Sequence, residues 1–416
     1  MHHVSLKALP AALALMLASG AALADEEGFH GYFRVGAGTS TSNSHGPQSC
    51  YGLGGNTMKY RLGNECDSYV EGGYTKEIAN SDGVSYVATV WLDAYSPHSE
   101  FGNAKVGINK AYIEAKGLGL LNGGTAWIGK RYYYRPDIHM IDMQYINMNG
   151  TGAGLDKIAA GPGKFSYAFF KDNDINVIDA AGKADTTAAT RQNFIYGDIP
   201  VNSGGAIDVA ASIITAQGSD KPGSVKHDGW QLSAFHKQAK VFGGENTVGV
   251  QYGVGPGVGT DGGRIGPSGS TLLGSDARRQ RVFDRLWIQP VWNFGMEFIA
   301  LAQRDQSDAA GKSTWTTIGA RPVYALNQNL KLALELGTER VKPAAGPALR
   351  LTKLTFAPSI SAGPGLWSRP ELRAFVTYGK WNDAARGALN ASNNSGPVYN
   401  NGNSGTSFGF QAESWF

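Results

Sequence analysis

The sequence is poor in cysteine, in charged residues and in long apolar runs. Its 416 residues include two cysteines and 17% charged side chains, with a formal net charge of +3. So small a net charge gives no support to nucleic-acid binding. After residue 24 no apolar run approaches the 18 residues that a membrane-crossing helix needs, which excludes helical membrane spans. No region shows sustained helical periodicity.

The N-terminal segment predicts export. Lys7 precedes a short apolar run over residues 8–17, and Ala-Leu-Ala at 22–24 precedes Asp25. This pattern predicts a secretory signal peptide over residues 1–24, cleaved after Ala24, leaving a single domain over residues 25–416. A membrane anchor is the alternative, but the run is too short to span a bilayer. In an oxidising compartment we expect Cys50 and Cys66 to form a disulfide, with two free thiols as the alternative.

The chain is rich instead in glycine, with 57 residues, and in short segments whose apolar and polar residues alternate. Residues 329–337 place four leucines on one face, opposite Lys331 and Glu335. The last eleven residues place Phe408, Phe410 and Phe416 opposite Gln411, Glu413 and Trp415. Alternation ending in an aromatic residue, together with an export signal, predicts an all-β fold, an antiparallel transmembrane β-barrel. If each strand with its connection takes about 22 residues, the predicted barrel has about 18 strands. A barrel of that width encloses an aqueous channel.

A soluble β-sandwich or propeller would also alternate, but no internal repeat of propeller length is present. Long Gly/Ser/Asn-rich segments at 253–275 and 384–404 predict extracellular loops. Aromatic residues near strand ends fit the girdles that mark the edges of a bilayer. They are Tyr95, Tyr132, Trp292, Tyr324 and Tyr378.

Strand parity turns Tyr32, Arg34 and Trp415 toward the lumen, and places Tyr69 and Glu71 together on one face. An aromatic ring in water is unfavourable unless it stacks on something apolar, and a pyranose has such a C–H face. Neighbouring charged groups can hydrogen-bond the sugar hydroxyls. These residues therefore predict an aromatic stripe for sugars. The alternative is that the rings pack under loops or against a plug and stiffen the barrel.

A second cluster, Arg135, Asp137, His139 and Asp142, directly follows a predicted strand. We interpret it as a loop folded into the pore, whose mixed charges form a constriction. A metal site is disfavoured because no other His or Cys cluster is present, and a catalytic set because the cluster has no serine. We therefore expect no cofactor, no metal and no enzymatic activity. The glycines of 150–154 lack the rest of a phosphate-binding loop and predict a turn.

Several segments resemble the maltoporin family of carbohydrate porins, from the first predicted strand to the last. They are 29–34 (FHGYFR), 59–66 (KYRLGNEC), 129–131 (GKR), 135–142 (RPDIHMID), 152–155 (GAGL), 366–370 (LWSRP) and 377–381 (TYGKW). The resemblance implies an 18-stranded homotrimeric barrel in the outer membrane of a Gram-negative bacterium, surrounded by lipids and lipopolysaccharide. It implies facilitated diffusion of maltose and maltodextrins along an aromatic slide with polar tracks beside it.

Carried over by position, the resemblance assigns two sets of sugar-binding residues. The aromatic slide would comprise Tyr32, Tyr69, Trp367, Trp415 and Phe242. The polar constriction would comprise Arg34, Arg61, Glu71, Arg135, Asp137, His139, Asp142 and Gln144.

The departures from the family pattern predict a wider sugar range. Gln144 stands where maltodextrin-specific members have a tyrosine, Asn147 replaces an aspartate, and Gly102 replaces an arginine. Residues 93–101 offer no clear counterpart of the aromatic that a neighbouring subunit contributes. A smaller, less charged constriction should admit other oligosaccharides, such as sucrose. A general or ion-selective porin, or a porin for another sugar, is the alternative function.

Overall fold

The computed structural model describes residues 27–41, 48–178, 184–217, 225–260, 262–391, 399 and 401–416. The predicted signal peptide lies outside the described residues. In the described part of the chain, eighteen strands form one antiparallel sheet in which each strand pairs with its neighbours along the chain. Pairing of β1 (Gly28–Ser40) with β20 (Ser404–Trp415) closes this sheet. The prediction of a barrel of about 18 strands is confirmed.

The other sixteen barrel strands are β2 (Ser68–Ser81), β3 (Val84–Ser96), β4 (Lys105–Lys116), β5 (Thr125–Arg131), β8 (Gly150–Ala160), β9 (Gly163–Ile178), β10 (Ala184–Asn202), β11 (Gly205–Ala216), β12 (Gly229–Val241), β13 (Gly244–Val254), β14 (Arg278–Val291), β15 (Phe294–Ser307), β16 (Gly311–Ala325), β17 (Leu330–Lys342), β18 (Leu349–Ser361) and β19 (Glu371–Trp381). A separate two-stranded sheet joins β6 (Asp137–Ile138) to β7 (Met143–Gln144).

Helical structure is confined to connections. It comprises α1 (Arg386–Ala391) and the 3₁₀ turns Gly119–Leu121, His139–Ile141, Gly255–Val258 and Asp383–Ala385. Among the described residues no helix has the length and apolar character required to cross a membrane.

The strands bury their polar side chains and expose their apolar ones. In β19, Leu372 and Val376 are 56% and 51% exposed, whereas Arg373 and Thr377 are buried. Because side chains alternate between the two faces of a strand, this pattern defines an apolar outer face and a polar inner face. It is the pattern of a barrel with lipid outside and water inside.

The two ends of the barrel differ. At one end the connections are mostly short, such as 82–83, 161–162 and 203–204, and both β1 and β20 have their terminal ends there. The other end carries the long connections 41–67, 132–149 and 255–277. Since short turns face the periplasm in such barrels, the long connections mark the extracellular end.

The 132–149 connection packs against the inner wall of the barrel. Its apolar side chains, Ile138, Met140, Ile141 and Met143 among them, are buried against the inner wall. The centroids of the Tyr145 ring and of the Phe283 ring on β14 lie 4.7 Å apart. Charged wall residues bind the loop backbone as well; for example, Arg191 donates to the Asn149 carbonyl oxygen at 2.7 Å.

The first long connection, of which residues 48–67 are described, also folds inward. Tyr60 fills a groove formed by Gly319 and Gly337, which lie directly opposite each other on β16 and β17. A Cβ atom on either glycine would lie 2.2 to 2.3 Å from the Tyr60 ring, so the fit requires glycine at both positions. Cys50 and Cys66 form a disulfide, which confirms the predicted pairing and ties this segment into a loop.

Candidate functional site

Between the two inward loops and the wall lies a cavity of about 790 Å³. Four of the five predicted slide aromatics and all eight predicted polar residues line it. They are Tyr32, Tyr69, Trp367 and Trp415, with Arg34, Arg61, Glu71, Arg135, Asp137, His139, Asp142 and Gln144. The cavity is also lined by Asp67, Tyr95, Tyr132, Asn147, Asn149, Arg264 and Arg285.

The aromatic residues form a series along one wall. The edge of the His139 ring packs against Trp367 at 5.1 Å and against Trp415 at 6.1 Å between centroids. Trp415 is directly opposite Tyr32 in the sheet, and the rings of Tyr32 and Tyr69 lie 6.1 Å apart. Adjacent strands therefore carry the series from β20 through β1 to β2, with a loop tryptophan at one end.

Tyr95 extends this series by one strand. It is directly opposite Tyr69 in the pairing of β2 with β3, and directly opposite residues point to the same face of a sheet. Its ring is 37% exposed and lines the cavity. The 93–101 segment therefore does supply an aromatic residue to the cavity, and it does so from the same chain.

The hydroxyl of Tyr32 joins the aromatic series to a charged cluster. It donates to Glu413 at 3.0 Å and accepts from Arg61 at 2.8 Å. Arg61 also donates to Glu413 at 2.8 Å. The Glu413 carboxylate is fully buried and forms an ion pair with Arg369 at 2.9 Å. The Arg369 guanidinium also lies 4.5 Å from the centre of the Trp415 ring. These hydrogen bonds, ion pairs and the cation–π contact therefore fix the positions of the Tyr32 and Trp415 rings.

A second hydrogen-bond network surrounds Glu71. Its carboxylate accepts from the hydroxyls of Tyr69 at 2.8 Å and Tyr132 at 2.6 Å, and from the Asn109 amide at 2.9 Å. The guanidinium of Arg135 stacks 3.7 Å from the centre of the Tyr132 ring. Tyr132 therefore links the inward loop to the wall that carries Tyr69.

Arg34 joins the two inward loops. It pairs with Asp67 at 2.7 Å and Glu65 at 3.2 Å from the first loop, and with Asp142 at 3.2 Å from the second. Burial raises the pKa of Glu65, but the guanidinium groups of Arg61 and Arg34 outweigh burial and lower this pKa to about 2. The carboxylate is therefore ionised at neutral pH, and the loop junction keeps its ion pairs.

The charges that face the cavity nearly balance. Five arginines and four carboxylates line it. Among the described residues no group of three His, Cys, Asp or Glu side chains is arranged to hold a metal ion. A nearly neutral wall with many donors and acceptors is suited to a neutral polar solute.

Phe242 is not placed with the other four slide residues. It lies in the two-residue connection between β12 and β13 and is 73% exposed, away from the cavity. A turn at positive φ carries its side chain to the short-turn end of the barrel. Its slide role stays a prediction.

Two other expectations were wrong. Tyr95 and Tyr132 do not lie in an outer girdle, because both line the cavity: Tyr95 lies opposite Tyr69 in the sheet, and Tyr132 at the start of the inward loop donates to Glu71. Residues 150–154 form the start of β8 and not a turn. There Gly152 packs so closely on β9 that a Cβ atom would lie 1.9 Å from the Phe169 carbonyl oxygen.

Sequence reasoning missed Asp67, Asn149, Arg264 and Arg285. The inward direction of Arg285 could have been predicted from strand alternation, because its neighbours Asp284 and Leu286 on β14 point outward. Arg264 was not, because its position depends on how the 255–277 connection contacts the inward loop through Ile146 and Ile265.

A closed antiparallel barrel with an apolar outer face and a polar, partly occluded lumen defines an outer-membrane porin. The chain matches the LamB porin family over residues 28–416 and belongs to it. The suspected maltoporin relationship and the outer-membrane location are thereby confirmed.

Solved structures of other barrels resemble this one at low sequence identity. OccAB2 of Acinetobacter baumannii is 11% identical with a TM-score of 0.50, covering 93% of this chain and 98% of that chain. An anion-selective porin from Comamonas acidovorans is 11% identical with a TM-score of 0.48, over 93% and 98%. Wzi of Escherichia coli, described as a carbohydrate-binding β-barrel, is 11% identical with a TM-score of 0.45, over 92% and 83%. Only the first of the three has a TM-score that reaches 0.50, and at 11% identity it supports the fold alone.

Proposed function

We propose that this porin is a passive, saturable channel for oligosaccharides, with maltose and maltodextrins among its substrates. The observation that carries the proposal is the aromatic series from Trp367 through Trp415, Tyr32 and Tyr69 to Tyr95 along one wall of the cavity. Each ring offers a face on which a pyranose can stack. No bond is made or broken, so the channel acts by binding and release alone.

The groups beside the series supply hydroxyl contacts. Arg34, Glu71 and Asp142 line the cavity next to the rings, and charged groups form the stronger hydrogen bonds with hydroxyls. A ring of like charge would select ions, whereas here arginines and carboxylates nearly cancel. This balance favours a neutral sugar over an ion as the substrate.

Gln144 lines the cavity on the inward loop, where it pairs with Asp137 across β6 and β7. A glutamine is smaller than a tyrosine and has no ring to restrict a branched or bent substrate. We therefore propose that the channel also takes sugars other than linear maltodextrins, such as sucrose. We further propose that the working unit is a homotrimer in contact with outer-membrane lipids and lipopolysaccharide.

The test is a titration of single channels in a planar bilayer with maltose, maltotriose, sucrose and glycerol. Sugars should block the ion current in a saturable manner, while glycerol, which has no pyranose face, should not. Equal, non-saturating responses to all four solutes would overturn the proposal in favour of a general diffusion porin.

A further inference from the structure

Above the apolar band, the outer surface of β14 to β19 carries a patch of seven cationic side chains. We call it the outer cationic patch, and it consists of Arg278, Arg304, Lys312, Arg340, Lys342, Arg350 and Lys380. All seven lie on the outward parity of their strands, near the strand ends at the extracellular end of the barrel. None has a carboxylate within 4.0 Å among the residues that the structure describes.

Strand register shows how closely these side chains are grouped. Arg340 on β17 is directly opposite Arg350 on β18. Directly opposite residues have Cα atoms about 4.5 to 5.5 Å apart, and like charges at that spacing destabilise a sheet. Lys342 and Lys380 flank the pair, the latter opposite Thr352. A cross-strand arginine pair without a nearby carboxylate is the arrangement that an external anion would relieve.

A second part of the patch continues the same rows. Arg304 on β15 is opposite Thr314, which is itself opposite Lys342. Two strand spacings of about 4.8 Å place Arg304 and Lys342 about 10 Å apart. Two residues further along β15, toward the extracellular end, Gln306 is directly opposite both Arg278 on β14 and Lys312 on β16. The cations therefore form a lattice wide enough for more than one phosphate.

The position of the patch relative to the apolar surface identifies the kind of anion. Below the arginines lie first Thr338, Thr352 and Lys380, then the apolar row Leu336, Leu354 and Tyr378, followed by Leu334, Phe356 and Val376. The side chains of these two apolar rows are 41 to 51% exposed on the outer face. A ligand that covers both levels must carry phosphate groups joined directly to several acyl chains. Arginine favours phosphate through its paired donors.

We propose that the outer cationic patch binds the phosphates of a multiply acylated glycolipid of the extracellular leaflet, of the lipid A type. This rests on the proposed membrane setting but not on the sugar channel. The glycolipid lies against β17 to β19 with acyl chains on the leucine rows and phosphates between Arg340, Arg350 and Lys342.

The test measures binding of purified bisphosphorylated lipid A to the detergent-solubilised full chain by native mass spectrometry. Arg340→Gln/Arg350→Gln should weaken binding about 25-fold, since each charge near an anionic surface contributes about fivefold. The matched control, Lys76→Gln/Lys240→Gln, removes two exposed charges away from the patch and should bind as the native protein does. Enzymatically dephosphorylated lipid A and phosphatidylglycerol should bind the native protein much more weakly.

Three results would overturn the proposal: native affinity in the arginine variant, equal losses in both double variants, or equal binding of dephosphorylated lipid A. Folding is checked by the unfolding temperature without lipid, which the arginine variant should keep or raise because like-charge repulsion is relieved. Sugar block of the current should be unchanged in that variant. Failure of the lipid proposal would therefore leave the sugar channel untouched.

Discussion

Replacing Trp415 by alanine tests the aromatic series most directly. The Arg369 guanidinium stacks on this ring at 4.5 Å, and the Trp415 side chain lines the cavity. A sugar on the free face would remove about 55 Å² of ring surface from water, about a quarter of what a tryptophan can bury. At about 25 cal/mol per Å² this contributes about 1.4 kcal/mol, or about a tenfold change in dissociation constant.

The assay is block of single-channel current by maltotriose in a planar bilayer. Trp415→Ala should raise the dissociation constant about tenfold and leave the open-channel conductance equal or higher. Trp415→Phe keeps a smaller stacking face and should lose about half of that free energy, or about threefold in affinity. The matched control is Trp292→Ala, because Trp292 lies in the 292–293 connection and is 57% exposed outside the cavity.

A native dissociation constant in Trp415→Ala, measured on protein that still resists unfolding in detergent, would refute the stacking argument. An equal loss in Trp292→Ala would do the same, since it would show that the effect comes from barrel stability. Loss of conductance in Trp415→Ala would instead indicate that the Arg369 and Glu413 pair had moved. The double variant Trp415→Ala/Arg369→Lys tests this case, because lysine keeps the positive charge beside Glu413.

Four further predictions follow from the same geometry. Tyr95→Ala should weaken maltotriose block several-fold but maltose block less, because only a longer sugar reaches the end of the series; equal losses would contradict this. Gln144→Tyr should lower sucrose flux relative to maltotriose flux in liposome swelling, and an unchanged ratio would show that Gln144 does not set the range. Replacing Cys50 and Cys66 by serine should raise current noise and conductance as the first loop loosens, with reduced native protein as the comparison. The folded-state pKa of Glu65 is lowered from 4.5 to about 2, so its stabilising effect is complete above about pH 4.5 and declines toward pH 2; Glu65→Gln should flatten this fall in unfolding temperature.

Parity reasoning worked where the neighbours along one strand define its two faces, and failed where a position depends on a loop or on which strands pair. Tyr32 and Trp415 lie on alternating strands, so the face of each followed from its neighbours. Tyr95 was wrongly assigned to an outer girdle. Its inward direction follows from its pairing with Tyr69, and the sequence alone does not show which residues pair. The fit of Tyr60 between Gly319 and Gly337 joins residues more than 250 positions apart, and no local pattern contains it.

Trp367 shows what family resemblance added. It lies in the 362–370 connection and not on a strand, so alternation gives it no direction. Its place depends on contacts with His139 at 5.1 Å and Trp287 at 6.0 Å, from two other parts of the chain. The LWSRP segment identified it by position where physical reasoning from the sequence could not.

The arrangement of charges also explains why binding should be weak enough for transport. Arg61, Glu413 and the Tyr32 hydroxyl already satisfy one another, and Arg34 is paired with three carboxylates. In the proposed channel a sugar would therefore exchange water for polar groups that are already paired, so even charge-assisted hydrogen bonds to its hydroxyls would add little net affinity. Most of its affinity must come from stacking, which changes little from one ring to the next. Conduction requires binding that a molecule can leave, and a series of similar, modest sites meets that requirement.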